Sequence, residues 1–149
     1  KKWRERGYWR LPEIDIMEFL GHEKTLYHAT LHTRTPAGRG GRVTKDGYTV
    51  YGTSVDTGLD LTADYHLYGL EWNEKELAWY FDGKAVKREP TPQDSRGDAK
   101  YMLINLAVGG NWPGRPDQST SFPAHYSIDY VRAYKRNADC AASRPPPSD

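Results

Sequence analysis

Glu13, Asp15 and Glu18 lie within one short stretch, Glu13-Ile14-Asp15-Ile16-Met17-Glu18, separated only by aliphatic side chains. In a strand, successive side chains point to opposite faces, so Glu13 and Asp15 share one face and Ile14 and Ile16 the other. The parity then breaks, because Glu18 is polar at an even position while Met17 and Phe19 are apolar at odd ones. One extra residue near Ile16-Met17, a β-bulge, restores a two-faced strand. Glu13, Asp15 and Glu18 then project from one face, and Ile14, Ile16 and Phe19 plug a core on the other. Two carboxylates flanking a glycosidic bond are the usual equipment for cleaving it: one attacks or activates water, the other protonates the leaving oxygen. A third carboxylate between them matters because crowded like charges cannot all ionise cheaply, so one pKa rises. A carboxyl raised in this way suits a general acid near neutral pH. A solvated strand face and a metal site remain open as alternatives. A calcium ion takes about 6–8 oxygens, more than three carboxylates on one strand can supply.

The neighbouring segments must position this row. Residues 1–12 are basic and aromatic and end in Leu11-Pro12, a tolerated way to enter a strand. The carboxylate strand runs to about Leu20, and Gly21 to Lys24 reads as a turn. Residues 25–34 alternate, with His28, Thr30 and His32 on one face and Tyr27, Ala29 and Leu31 on the other. Two strands joined by a short polar turn predict an antiparallel pair, which lays His32 across from the carboxylates. Residues 35–47 form a glycine-rich basic loop without the spacing of a phosphate cradle. Strands are predicted over 48–55, 65–73, 76–82 and 84–88, with Asp82-Gly83 as a two-residue hairpin turn. Residues 100–108 and 125–135 are predicted as two further strands. The long loop 109–124 between them carries Trp112, a candidate for stacking on a sugar, and long loops in compact domains are usually functional. Asn105 stands on the face away from an aliphatic row, where it could hydrogen-bond sugar hydroxyls. Trp9, four residues before Glu13, could reach the lip of a cleft. Trp72 and Trp79 alternate with aliphatic residues and are expected in the core.

Composition narrows the function classes. The 149 residues fit one domain, and 37% of them are hydrophobic, with Tyr (11) and Trp (5) far outnumbering Phe (3). Tyr and Trp pair a flat apolar face with a polar edge, which suits sugar rings as well as cores. The net charge of +1 leaves no footprint for nucleic acid. No apolar run approaches the ~20 residues of a membrane span. A single cysteine, Cys140, excludes an intrachain disulfide. From Asn137 the chain turns into a proline-rich stretch that reads as a linker or disordered tail, so residues 1–136 are taken as the folded domain and 137–149 as the tail. No signal peptide is present, and the first residues read like the middle of a longer sequence, so a mature or truncated segment is expected. Many short strands with Gly/Pro turns and no convincing helix predict an all-β antiparallel sandwich or jelly roll.

The carboxylate stretch resembles the bulged ExDxxE active-site motif of glycoside hydrolase family 16, in its laminarinase-like branch. Tyr65 to Trp72, Trp79 to Gly83, Asn105 to Gly114 and Ile128 to Tyr134 resemble the same family in order and spacing. The resemblance covers nearly all of residues 8–135. It implies an all-β, concanavalin A-like antiparallel jelly-roll sandwich with an open cleft, and retaining hydrolysis of internal β-linkages in a polysaccharide. By that resemblance Glu13 matches the nucleophile, Glu18 the acid/base and Asp15 the assisting carboxylate. His32, Asn105 and Trp112 would line the cleft, and Asp129 falls where many members place a calcium ligand. No cofactor is required for the chemistry; the calcium would be structural.

The resemblance also implies an extracellular, secreted protein, expected as a monomer, with a polysaccharide as its partner and neither nucleic acid nor membrane. The C-terminal linker offers a tether to other modules. Family domains are markedly longer, and the missing part is N-terminal. Early strands of a jelly roll interleave with late ones, so the isolated chain is expected to be poorly stable or inactive unless they are supplied. The bulged motif favours β-1,3- or β-1,3-1,4-glucan. A galactan-active hydrolase, a transglycosylase and a non-catalytic glycan-binding protein on the same scaffold are the alternatives. For the galactan case, Arg39, Arg42 and Arg115 could meet sulfate groups.

Overall fold

The computed structural model describes residues 12–35, 38, 40–97 and 99–135. Strand β1 (Glu13–Glu18) leads by a tight turn into β2 (Leu26–Thr33), followed by the two-residue β3 (Arg42–Val43) and β4 (Thr49–Asp56). These form one antiparallel sheet in the order β1-β2-β4-β3. A second antiparallel sheet is built from β5 (Tyr68–Trp72), β6 (Glu76–Phe81) and β7 (Lys84–Pro90) in sequence order. No α-helix occurs among the described residues; a single 3-10 turn covers Gln93–Ser95.

The predicted bulge is present. Glu13 pairs with His32 and Asp15 with Thr30, yet Glu18 pairs with His28. Three steps along β1 therefore match two along β2, which leaves one extra residue between Asp15 and Glu18. Ile14, Met17 and Phe19 pack against the core, so Met17 rather than Ile16 takes the inward position after the bulge. Strand β2 alternates as expected: Tyr27, Ala29 and Leu31 are buried, while His28 and His32 are only partly covered on the opposite face.

The two sheets share one core of Tyr27, Ala29, Leu31, Tyr51, Leu77 and Trp79. Tyr27 meets Tyr68 edge-on at 5.1 Å, a geometry that aligns ring edge with ring face. The β6–β7 hairpin turns at Asp82-Gly83, both at positive φ (45° and 79°), the conformation a type I′ turn requires. Just beyond it, Tyr80 pairs with Ala85 while Trp79 pairs with Lys87, so β7 carries its own bulge at Val86. That bulge turns Lys87 into the interface between the sheets. The end of β2 is clamped by the buried Asp94, which accepts hydrogen bonds from Thr33 Oγ1 (2.6 Å) and from the Arg34 backbone N–H (2.8 Å).

Three expectations are corrected. Residues 100–108 and 125–135 form no strand, and Met102, Leu103, Ile104, Leu106, Val108, Ile128 and Val131 are exposed. Alternation reports which side chains could share a face. A strand also needs a neighbour for its N–H and C=O groups, and the described residues provide none to either segment. Trp72 is partly exposed rather than core, with its indole N–H donating to the Ser95 carbonyl oxygen at 3.1 Å. Trp79, by contrast, is buried as expected. The tail from residue 137 and Trp9 lie outside the described residues.

Candidate active site

The site is a row of three carboxylates on β1 facing two imidazoles and a hydroxyl on β2. Alternation on β2 puts His28, Thr30 and His32 on the face that the bulge restores to Glu18. His32 Nε2 lies 3.2 Å from Asp15 Oδ2. Thr30 Oγ1 donates a hydrogen bond to Glu18 Oε2 at 2.9 Å. On the core side, the buried Trp79 donates its indole N–H to the Asp15 carbonyl oxygen at 2.9 Å. This last bond fixes the backbone at the start of the bulge, so the middle carboxylate is held from beneath.

The electrostatics follow from this crowding. Burial raises the Glu13 carboxyl above its ordinary value, repulsion from Asp15 adds to the rise, and His32 opposes it. Burial also raises Glu18, again with Asp15 adding, while the Thr30 hydrogen bond opposes. Burial thus outranks like-charge repulsion at both ends of the row, where sequence alone pointed to repulsion. Direct contact with Asp15 holds the His32 imidazole above its ordinary value against the effect of burial. The carboxyls at the two ends of the row are therefore raised toward neutral pH, as acid–base chemistry there requires.

A second cluster adjoins Glu18. His28 Nε2 lies 3.2 Å from Glu23 Oε2, and its Nδ1 lies 3.1 Å from Ser54 Oγ. The same imidazole meets the Trp112 ring edge-on at 4.7 Å. Trp112 sits in a tight loop closed by reciprocal backbone hydrogen bonds between Gly110 and Gly114 (3.0 and 3.1 Å). Gly110 (φ 144°) and Gly114 (φ 88°) both adopt positive φ there, which glycine tolerates at no steric cost. The structure therefore brings Glu13, Asp15, Glu18, His32 and Trp112 to one region. Asn105 is exposed and makes no hydrogen bond to the row among the described residues. Asp129 is likewise exposed, and no group of three or more acidic or histidine side chains there could hold a metal ion.

Thr30, His28 and Trp79 were not singled out as site residues from sequence. The His-x-Thr-x-His alternation carried the signal for the first two, since it set all three side chains on one face. Nothing local marked the Trp79 indole, whose partner is 64 residues away.

The model of glycosyl hydrolases family 16 matches residues 5–132. The chain belongs to this family. Two relatives from Rhizobium meliloti (strain 1021), each named an endo-1,3-1,4-beta-glycanase, are 35% and 36% identical over 135 residues, covering 89% of this chain and 26% of theirs. A beta-glucanase of Rhodothermus marinus is 31% identical, with 89% of this chain and 46% of that protein covered. The chain therefore spans about a quarter of the length of the first two relatives. The bulged row lies within the matched region, and the all-β antiparallel sheets accord with the family 16 jelly roll. No helix among the described residues is long and apolar enough to cross a membrane.

Proposed function

We propose that the chain carries the catalytic row of an endo-acting, retaining hydrolase of β-1,3- or mixed-linkage β-1,3-1,4-glucan. The observation that carries this reading is the bulge between Asp15 and Glu18, which returns Glu18 to the face of Glu13 and Asp15. Glu13 attacks the anomeric carbon while protonated Glu18 donates to the leaving oxygen. A water deprotonated by Glu18 then releases the glycosyl-enzyme. Asp15 shares the charge of the nucleophile, and His32 steadies Asp15. Glu13 and Glu18 sit four ladder positions apart on β2, about 13 Å along the strand. Retention needs the carboxyls ~5–5.5 Å apart, so both lean inward across Asp15. Trp112, steadied against His28, offers a face for a sugar ring. The double displacement calls for no metal or organic cofactor.

The names of the relatives support a β-glucan as substrate, and a soluble extracellular polysaccharide requires a secreted enzyme to meet it. The test is release of reducing sugar from lichenan and laminarin by the longest form of the protein that contains these residues. Glu13→Gln and Glu18→Gln should each abolish turnover with the fold intact. Near-normal rates in either variant would sink the assignment, and binding of glucan without release by the unaltered protein would favour a glycan-binding role.

A further inference from the structure

Lys87 is a buried titratable group that the double displacement does not use. It is only 7% exposed, in a β7 segment, Lys84-Ala85-Val86-Lys87-Arg88, that otherwise reads as surface. The bulge at Val86 turns it inward opposite Trp79. Its ammonium donates to the Ala29 carbonyl oxygen at 3.0 Å and to that of Tyr51, on two adjacent strands of the other sheet. It also lies 4.7 Å from the centroid of the Trp79 ring. That same ring donates to the Asp15 carbonyl oxygen. A continuous set of contacts therefore runs from the ammonium to the backbone of the carboxylate row. The charged groups acting on Lys87 are Glu89 on its own strand and Asp15 on β1; β2 and β4 present carbonyls, and β6 an aromatic ring.

Pinning two sheets together needs no charge, and apolar side chains do it at lower cost. A cation kept on the core side of Asp15 has a different use. We propose that Lys87 is a positioning residue for hydrolysis: a buried cation that acts on Asp15, the middle carboxylate of the row, from the core side while its contacts hold Trp79 beneath it. Asp15 then has the His32 imidazole on the cleft side and the Lys87 ammonium on the core side. Burial lowers the Lys87 amine to about 8, so this effect fades in mildly alkaline solution. The role rests on the proposed hydrolysis, but the coupling between Lys87 and the row is a property of the folded chain and can be measured without turnover.

The experiment is a carbon-13 NMR titration of the side-chain carboxyls of Glu13, Asp15 and Glu18 in the unaltered protein, Lys87→Met and Lys87→Arg. Loss of the cation should shift the Asp15 carboxyl resonance, and Lys87→Arg should restore it. By reciprocity, Asp15→Asn should move the Lys87 Cε midpoint downward by ~0.5 unit or more, which decides the matter should Lys87→Met fail to fold. An unmoved Asp15 resonance and an unmoved Lys87 midpoint in these arms would overturn the proposal. Intact coupling in a protein that releases no sugar would instead count against the hydrolase reading alone. In an active protein, both limbs of the pH–rate profile of Lys87→Met should move to higher pH; a lower rate with unmoved limbs would mark a purely structural lysine and overturn the positioning role.

Discussion

Replacing Lys87 by methionine should stabilise the folded chain at neutral pH, against the usual effect of altering a buried, hydrogen-bonded residue. Burial lowers the amine from 10.5 to about 8. The gap of about 2.5 units corresponds to about 3 kcal/mol by which the fold disfavours the charged form relative to the neutral one. Below pH 8 the ammonium is charged in both folded and unfolded chains, so the whole cost is present. Between about pH 8 and 10.5 the folded chain releases a proton that the unfolded chain still holds, and stability from this group rises with pH. Above that window the amine is neutral in both states and the cost is gone. Methionine fills a similar volume without a charge. It forfeits the hydrogen bonds to Ala29 and Tyr51, whose carbonyls belong to paired strands of one sheet. The variant should gain about 1–3 kcal/mol at pH 7, the usual range when an apolar residue replaces a buried ionic group. The gain should shrink toward zero by about pH 10.5. Urea unfolding of both proteins at a series of pH values gives the difference directly, with tyrosine ionisation cancelling between them. A methionine variant less stable at pH 7, by an amount that stays constant up to pH 10, would show that the ammonium is not held at a cost and would refute the reasoning.

Other perturbations address the row itself. The proposed double displacement needs Glu13 ionised and Glu18 protonated, and burial raises both; both limbs of the kcat/KM profile on lichenan should therefore fall above the ordinary glutamate value of 4.5. The same shifts make stability from these groups present below 4.5 and lost as pH rises through the folded values, so Glu18→Gln should gain stability relative to the unaltered protein as pH rises, as read by thermal unfolding. Deleting Ile16 removes the extra residue and leaves Glu13, Asp15 and Glu18 in strict alternation on one face, with Glu18 still opposite His28. The deletion variant should therefore keep measurable reducing-sugar release, and complete loss of release in a variant that still folds by urea unfolding would contradict the shared face. His28→Ala removes the edge contact on Trp112, a pair worth about 0.5–1.5 kcal/mol, and should raise KM by about 2–10-fold with a smaller change in kcat.

The carboxylate row was legible because a break in a period-2 pattern admits few explanations, and one extra residue between Asp15 and Glu18 is the simplest. His32 was legible for a related reason: a short turn between two strands forces antiparallel pairing, and alternation then fixes which side chains face the row. The same alternation misled at residues 100–108, where Met102, Ile104, Leu106 and Val108 share a parity but find no ladder partner among the described residues. Side-chain pattern is local, whereas a partner strand is supplied from elsewhere in the chain. Lys87 was illegible for the opposite reason. Its neighbours are charged, and only the bulge opposite Trp79, set by pairing across the β6–β7 hairpin, turns it inward. The order of causes at Glu13 and Glu18 was hidden as well, because burial depends on the packed sheet and not on the spacing of the acids.

The stereochemistry of the first product reports most directly on whether Glu13 and Glu18 work as nucleophile and acid across Asp15. Proton NMR of lichenan cleavage, followed from the first minutes before mutarotation, distinguishes the two anomers of the new reducing end. Appearance of the β-anomer first, lost in Glu13→Gln, is the expected result. First appearance of the α-anomer would place a water between the carboxylates and contradict a direct attack by Glu13.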